Sequence, residues 1–139
     1  MQASPSILVV DDSPFAARAL AHVLEARGLR VRAASSMEEV VRLCAESPPA
    51  VLVTDVCMPN IDLVGLCRSV RVAAKGQRTA VLLFSAHSQA EVASQIAAAG
   101  ADAFIEKRHG AAAVAARVEA LCAALASNRS RHPLPSSPG

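Results

Sequence analysis

Along the chain, short and nearly continuous apolar runs alternate with longer stretches in which apolar residues recur every three or four positions. Continuous runs fit strands covered on both faces, and the longer spacing fits helices with one buried stripe. Five such pairs predict strands at Ile7–Val10, Arg30–Ala34, Ala50–Thr54, Ala80–Ser85 and Asp102–Ile105. An alternation of this kind folds as a parallel sheet with helices on both faces, the α/β class. The helices carry their own punctuation. Ser13 caps the first, with Pro14 in its first turn and Gly28 past its end. Ser36 and Glu39 form a capping box for the second, which stops before Pro48-Pro49. The third runs from about Asp62 to Ala74, and a second capping box, Ser88 with Glu91, starts an alanine-rich fourth that ends at Gly100. Val114, Val118, Leu121, Cys122 and Leu125 mark the buried stripe of the fifth. From Ser127 onward the chain turns polar and proline-rich, which predicts a folded domain over 1–126 and a disordered tail or truncated linker over 127–139.

Composition narrows the function classes. With 139 residues, 53% of them hydrophobic, one domain can bury an adequate core without disulfides or a structural metal. Cys44, Cys57, Cys67 and Cys122 show no CxxC spacing and read as reduced, mostly buried thiols. No apolar run approaches the roughly 20 residues of a membrane span, and Met1–Ser6 has no basic cluster of a secretory signal, so a cytoplasmic protein without membrane attachment is expected. The preference for arginine over lysine and the abundant alanine suit a GC-rich bacterial genome. Arg129 and Arg131 account for the net charge of +2, leaving the body neutral. With no Trp, no Tyr and three Phe there is little to stack on bases, which argues against direct nucleic-acid binding.

The unusual polar residues fall at the carboxyl ends of the predicted strands, where open parallel sheets bind ligands. Asp11 and Asp12 follow the first strand, Asp55 the third, Ser85 closes the fourth, and Lys107 lies just past the fifth. One strand-end polar residue is ordinarily a solvated loop start; five at one edge make a site. Clustered carboxylates repel unless a cation shares them, and a small set of hard oxygen ligands favours Mg²⁺. A lysine and a hydroxyl beside such an ion supply what is needed to hold a phosphoryl group, with Asp55 the best-placed nucleophile. An aspartyl phosphatase is disfavoured, because Cys57 stands where such enzymes carry a second acid. No GxGxxG or P-loop follows any strand.

VVDDS at 9–13, LVTDVCMPNID at 52–62, LLFSA at 82–86 and GADAFIEK at 100–107 resemble, in order and spacing, the receiver domain of bacterial two-component response regulators of the single-domain, CheY-like type. The resemblance covers about Ser6 to Ala126 and implies a doubly wound, flavodoxin-like (βα)5 fold with strand order 2-1-3-4-5. It implies that Asp55 accepts a phosphoryl group from a histidine kinase or histidine phosphotransfer protein. Asp12, Asp55 and the carbonyl of Cys57 would hold Mg²⁺, with Asp11 assisting through water. Ser85 would be the switch hydroxyl, Lys107 its cationic partner and Phe104 the switch aromatic. The signal would leave through the fourth helix, fifth strand and fifth helix to a separate protein, from a monomer or weak homodimer. Such a protein is not an enzyme beyond phosphorylating itself and slowly losing the group. Cys57 and His87, flanking the path of water, offer neither carboxylate nor amide to speed that loss. Three positions depart from the family pattern: Asn60 replaces a common glycine, harmlessly since Asn tolerates the left-handed conformation, Leu63 replaces a glycine after Asp62, and Arg108 replaces a proline after Lys107. A non-proline cis bond costs about 2.5–4 kcal/mol, so Lys107–Arg108 is either trans or held cis by its surroundings. The alternative function is a receiver-like interaction module that works without phosphorylation.

Overall fold

A computed structural model describes residues 5–131, with side chains described through Ser127. Strands β1 (Ser6–Val10), β2 (Arg30–Ala34), β3 (Val51–Asp55), β4 (Ala80–Ser85) and β5 (Ala103–Glu106) pair in parallel in the order 2-1-3-4-5. Between and after them run α1 (Pro14–Glu25), α2 (Met37–Glu46), α3 (Leu63–Ala73), α4 (Ala93–Ala99) and α5 (Ala111–Arg131). The expected fold is the observed one.

Both sheet faces are covered, and the period-2 alternation of each strand divides its side chains between two cores. Ile7 and Val9, Val51 and Val53, Ala80 and Leu82, Ala103 and Ile105 pack under α1 and α5 with Leu20, Leu24, Val114 and Val118. Leu8 and Val10, Leu52, Val81 and Leu83 pack on the opposite face with α2 and α3 through Val40, Cys44, Leu66 and Val70. The central strands are therefore apolar along most of their length, with Thr54 and Ser85 buried polar exceptions near their carboxyl ends.

Ser13 accepts the Ala16 amide and Ser36 that of Glu39, starting α1 and α2 as expected. Asp62 caps α3 by accepting the Gly65 amide at 2.8 Å. A Cβ at Gly65 would lie 2.7 Å from that carboxylate, so this glycine makes room for the cap.

Three boundaries differ from the pattern. The Ser88–Glu91 box forms, but regular α4 begins only at Ala93, because Gln89, Ala90 and Glu91 are exposed and offer no apolar stripe to bury. Asp102 precedes β5 and acts as a bracket, its carboxylate accepting the Val81 amide at 2.8 Å and pairing with Arg78. Helix α5 continues through Arg131, so residues 127–131 of the expected tail extend it; no Gly or Pro interrupts the sequence there before Pro133, and 132–139 lie outside the described residues. At the end of α4, Gly100 adopts the left-handed conformation (φ 64°) that favours glycine, and the Arg71 guanidinium donates to the Ala99 and Gly100 carbonyls.

Candidate functional site

The alternation that builds the cores also aims the site. Asp11 continues the phase of Ile7 and Val9, Asp55 that of Val51 and Val53, and Lys107 that of Ala103 and Ile105. All three project at the top of the α1–α5 face. Lys107 donates to Asp55 Oδ2 at 3.4 Å and its ammonium lies 3.7 Å from Asp11 Oδ2. Both carboxylates are only 13% exposed, so one ammonium offsets much of the repulsion between two poorly hydrated anions. The Lys107–Arg108 bond is trans, and the lysine reaches Asp55 all the same, from the first turn of a short 3₁₀ helix over Lys107–His109. Arg108 turns away to pair with Glu106 at 2.6 Å. That guanidinium holds the Glu106 carboxyl below its ordinary value.

The rest of Asp55 is fixed by main chain. Its Oδ1 accepts the Val56 amide at 2.8 Å and, at 3.4 Å, that of Cys57. Oδ2 is left facing Lys107. Asp11 Oδ1 accepts the Ser13 amide at 3.0 Å, which ties the first acid to the start of α1.

Ser85 is fully buried at the end of β4, its Oγ accepting the His87 amide at 3.0 Å. It shares the α3–α4 face of the sheet with Phe104, which lies on the adjoining strand opposite Leu83. The proposed switch pair thus sits on one side of the sheet and the Asp11–Asp55–Lys107 group on the other. His87 is exposed at the rim, 3.7 Å from Glu91.

Sequence reasoning overlooked Phe84. It pairs in register with Asp55, and its ring lies 5.6 Å from the Lys107 ammonium, a cation–π distance. A cavity of about 300 Å³ opens beneath, where Ala16, Ala19 and Ala111 leave space. Counting by twos from Ala80 would have placed Phe84 beside Lys107.

Among the described residues no three His, Cys, Asp or Glu side chains are grouped closely enough to hold a metal ion by themselves. Of the expected trio, Asp11 and Asp55 are brought together on the Lys107 ammonium. Asp12 is half-buried and has no protein hydrogen bond among the described residues. The donor set of Asp12, Asp55 and a main-chain carbonyl at Cys57 is all oxygen, which fits a hard divalent cation.

A sequence model for the response regulator receiver domain matches residues 7–119. This chain belongs to that family. Among characterised relatives, the receiver is 34% identical over 115 residues to the transcriptional regulatory protein KdpE of Mycobacterium tuberculosis, an alignment covering 82% of this chain and 49% of the relative. It is 37% identical over 122 residues to the transcriptional activator protein ExaE of Pseudomonas putida, covering 86% and 55%. The chain thus spans about half the length of these relatives. Among solved structures, a response regulator signal receiver domain from Bermanella marisrubri superposes with a TM-score of 0.72 at 28% identity, covering 86% of this chain and 98% of that one. A CheY-like receiver domain protein from Methanospirillum hungatei gives 0.76 at 18% identity, over 91% and 99%, a likeness of fold. No described helix of the receiver is long and apolar enough to cross a membrane.

Proposed function

We propose that this receiver accepts a phosphoryl group on Asp55 from a histidine kinase or histidine phosphotransfer protein and thereby switches its binding to a separate protein. The observation that carries the reading is the asymmetric hold on Asp55: two main-chain amides fix Oδ1, while Oδ2 faces Lys107. Phosphoryl transfer is mainly positioning and charge stabilisation, and this carboxylate is positioned. Oδ2 would form the new P–O bond as the P–N bond of the donor's phosphohistidine breaks. Lys107 would then neutralise an incoming phosphoryl oxygen. Mg²⁺, held by Asp12, Asp55 and the Cys57 carbonyl with Asp11 acting through water, would offset the remaining charge. Ser85, whose Oγ accepts the His87 amide here, would move to donate its O–H to a phosphoryl oxygen, and Phe104, on the same sheet face, would move into the space released. Only contacts that differ between the two states can shift their balance, and on this reading those of Ser85 and Lys107 would supply the difference.

The output face on this reading is α4–β5–α5, where Phe104, Ala113, Ala116 and Ala120 border a groove of about 590 Å³. The reading makes the protein a cytoplasmic switch with no substrate but itself. The alternative, an interaction module independent of phosphorylation, drew its support from Arg108 in the proline position. Lys107 reaching Asp55 across a trans bond weakens that support.

The test is to incubate the protein with Mg²⁺ and acetyl phosphate and weigh it intact. The wild type should gain one phosphoryl mass and Asp55→Ala none. A gain that persists in Asp55→Ala, or no gain in the wild type, refutes the reading. Mg²⁺ titration should show weak binding that is largely lost in Asp12→Asn.

A further inference from the structure

We propose that the face formed by α2 and α3 is a self-association surface, on which α2 of one copy lies against α3 of a second copy. Among the described residues the large hydrophobics left exposed are Phe15, Val41 and Val72. Val41 on α2 is 56% exposed and Val72 on α3 is 70% exposed, and both line one apolar groove of about 410 Å³, with Ala45 and Ala73 in its walls.

Charge identifies the occupant. Helix α2 carries Glu38, Glu39 and Glu46 against the single Arg42, whereas α3 carries Arg68 and Arg71 with no acid and is followed by Lys75. Glu39 is spent on the Ser35 amide and Arg71 on the α4 carbonyls. Glu38, Glu46, Arg68 and Lys75 are exposed, and their side chains make no ion pair or hydrogen bond within the described residues. An acidic helix and a basic helix flanking one apolar groove form a self-complementary surface. A twofold axis parallel to the helices sets α2 on the partner's α3 and α3 on the partner's α2, so each attraction occurs twice. Setting α2 on α2 would oppose glutamates, and α3 on α3 would oppose cations, so this arrangement alone satisfies the charges. A single shallow groove is small beside a stable interface, so the dimer is weak and concentration-dependent.

Sedimentation velocity of the full chain from about 10 µM to about 1 mM should show the mean mass rising toward that of a dimer, less so in high salt. Val72→Asp should weaken association about tenfold or more. Glu46→Lys and Lys75→Glu should each weaken it, and the two together in one chain should restore it, since each new lysine meets a new glutamate. These positions are exposed, and unchanged circular dichroism would verify that the variants fold. A wild type that stays monomeric throughout overturns the proposal and leaves the groove to a different protein or to none. So does a dimer that survives Val72→Asp but is lost in Ala116→Asp on the α4–β5–α5 face.

Discussion

Helices α2 and α4 begin with the same sequence device and end up as different structures. Ser36-x-x-Glu39 and Ser88-x-x-Glu91 are both capping boxes in sequence. The second is the more complete: Ser88 and Glu91 exchange both hydrogen bonds, at 2.8 and 3.2 Å, whereas Glu39 reaches past its cap to the Ser35 amide. Yet α2 runs regularly from Met37 to Glu46, and α4 is regular for only seven residues, from Ala93. The difference lies in the residues beyond each cap. Val40 and Cys44 bury the inner face of α2, with Leu43 packed beside them; behind the Ser88 box only Val92 is buried before Ala99. A cap starts a helix, but tertiary burial sustains one. The segment left under-committed joins Ser85 to the proposed output face, and elements that move are drawn from the less stable parts of a fold.

The sharpest way to break this contrast is to impose the phosphorylated state. Beryllofluoride with Mg²⁺ should shift amide resonances around Asp55, from Ala86 through Ala99, and at Phe104, while α2 stays largely unmoved. Shifts of equal size in α2, or shifts confined to the acidic pocket, would refute the idea that the α4 segment carries the response.

Next in size is burial itself. Val40 is fully buried, so Val40→Ala should destabilise the fold by about 2 kcal/mol, read as a lower denaturant midpoint at constant slope. The caps should divide in the opposite sense to their geometry. Ser36→Ala should cost about 1 kcal/mol and Ser88→Ala only a few tenths, because the turn it closes is not propagated into a regular helix. Equal losses would show that the box rather than burial determines helix stability here.

The same distinction separates what was legible in the sequence from what was not. Strands covered on both faces are nearly continuous in apolar residues, so β1, β3 and β4 stand out in the sequence. The edge strands β2, with Arg30 and Arg32, and β5, ending in Glu106, are placed by their turn in the alternation of elements, and the period of two puts Asp55 and Lys107 on one side. Phe84 was open to the same count by twos. The start of α4 was hidden because a capping box is a local signal, whereas the burial that extends it depends on the sheet beneath. Asp102 read as part of β5, but only the folded register shows its carboxylate accepting the Val81 amide. The joint engagement of Asp11 and Asp55 by Lys107 likewise required the distances, since separate acids at strand ends do not reveal which of them a lysine will reach.

The smallest effect concerns pH. Hydrogen bonds from the Ser88 main chain and then its hydroxyl hold the Glu91 carboxyl below its ordinary value of 4.5. A carboxylate whose pKa is depressed in the folded state contributes stability that is fully present above its unfolded value and is lost as pH falls through the folded one. Acidification below about pH 4.5 should therefore weaken the box around Ser88 progressively. Glu91 is fully exposed, so water replaces the lost bonds and the change in global stability should be slight. Its effect should be local: amide exchange at Ser88 to Val92 should become faster relative to that of α2 as the carboxyl protonates. Glu91→Gln keeps an acceptor but removes the titration, and should flatten that pH dependence. An undiminished acid-dependent change in the Gln variant would assign it to another group, and would mean that the Ser88 turn is held by packing after all.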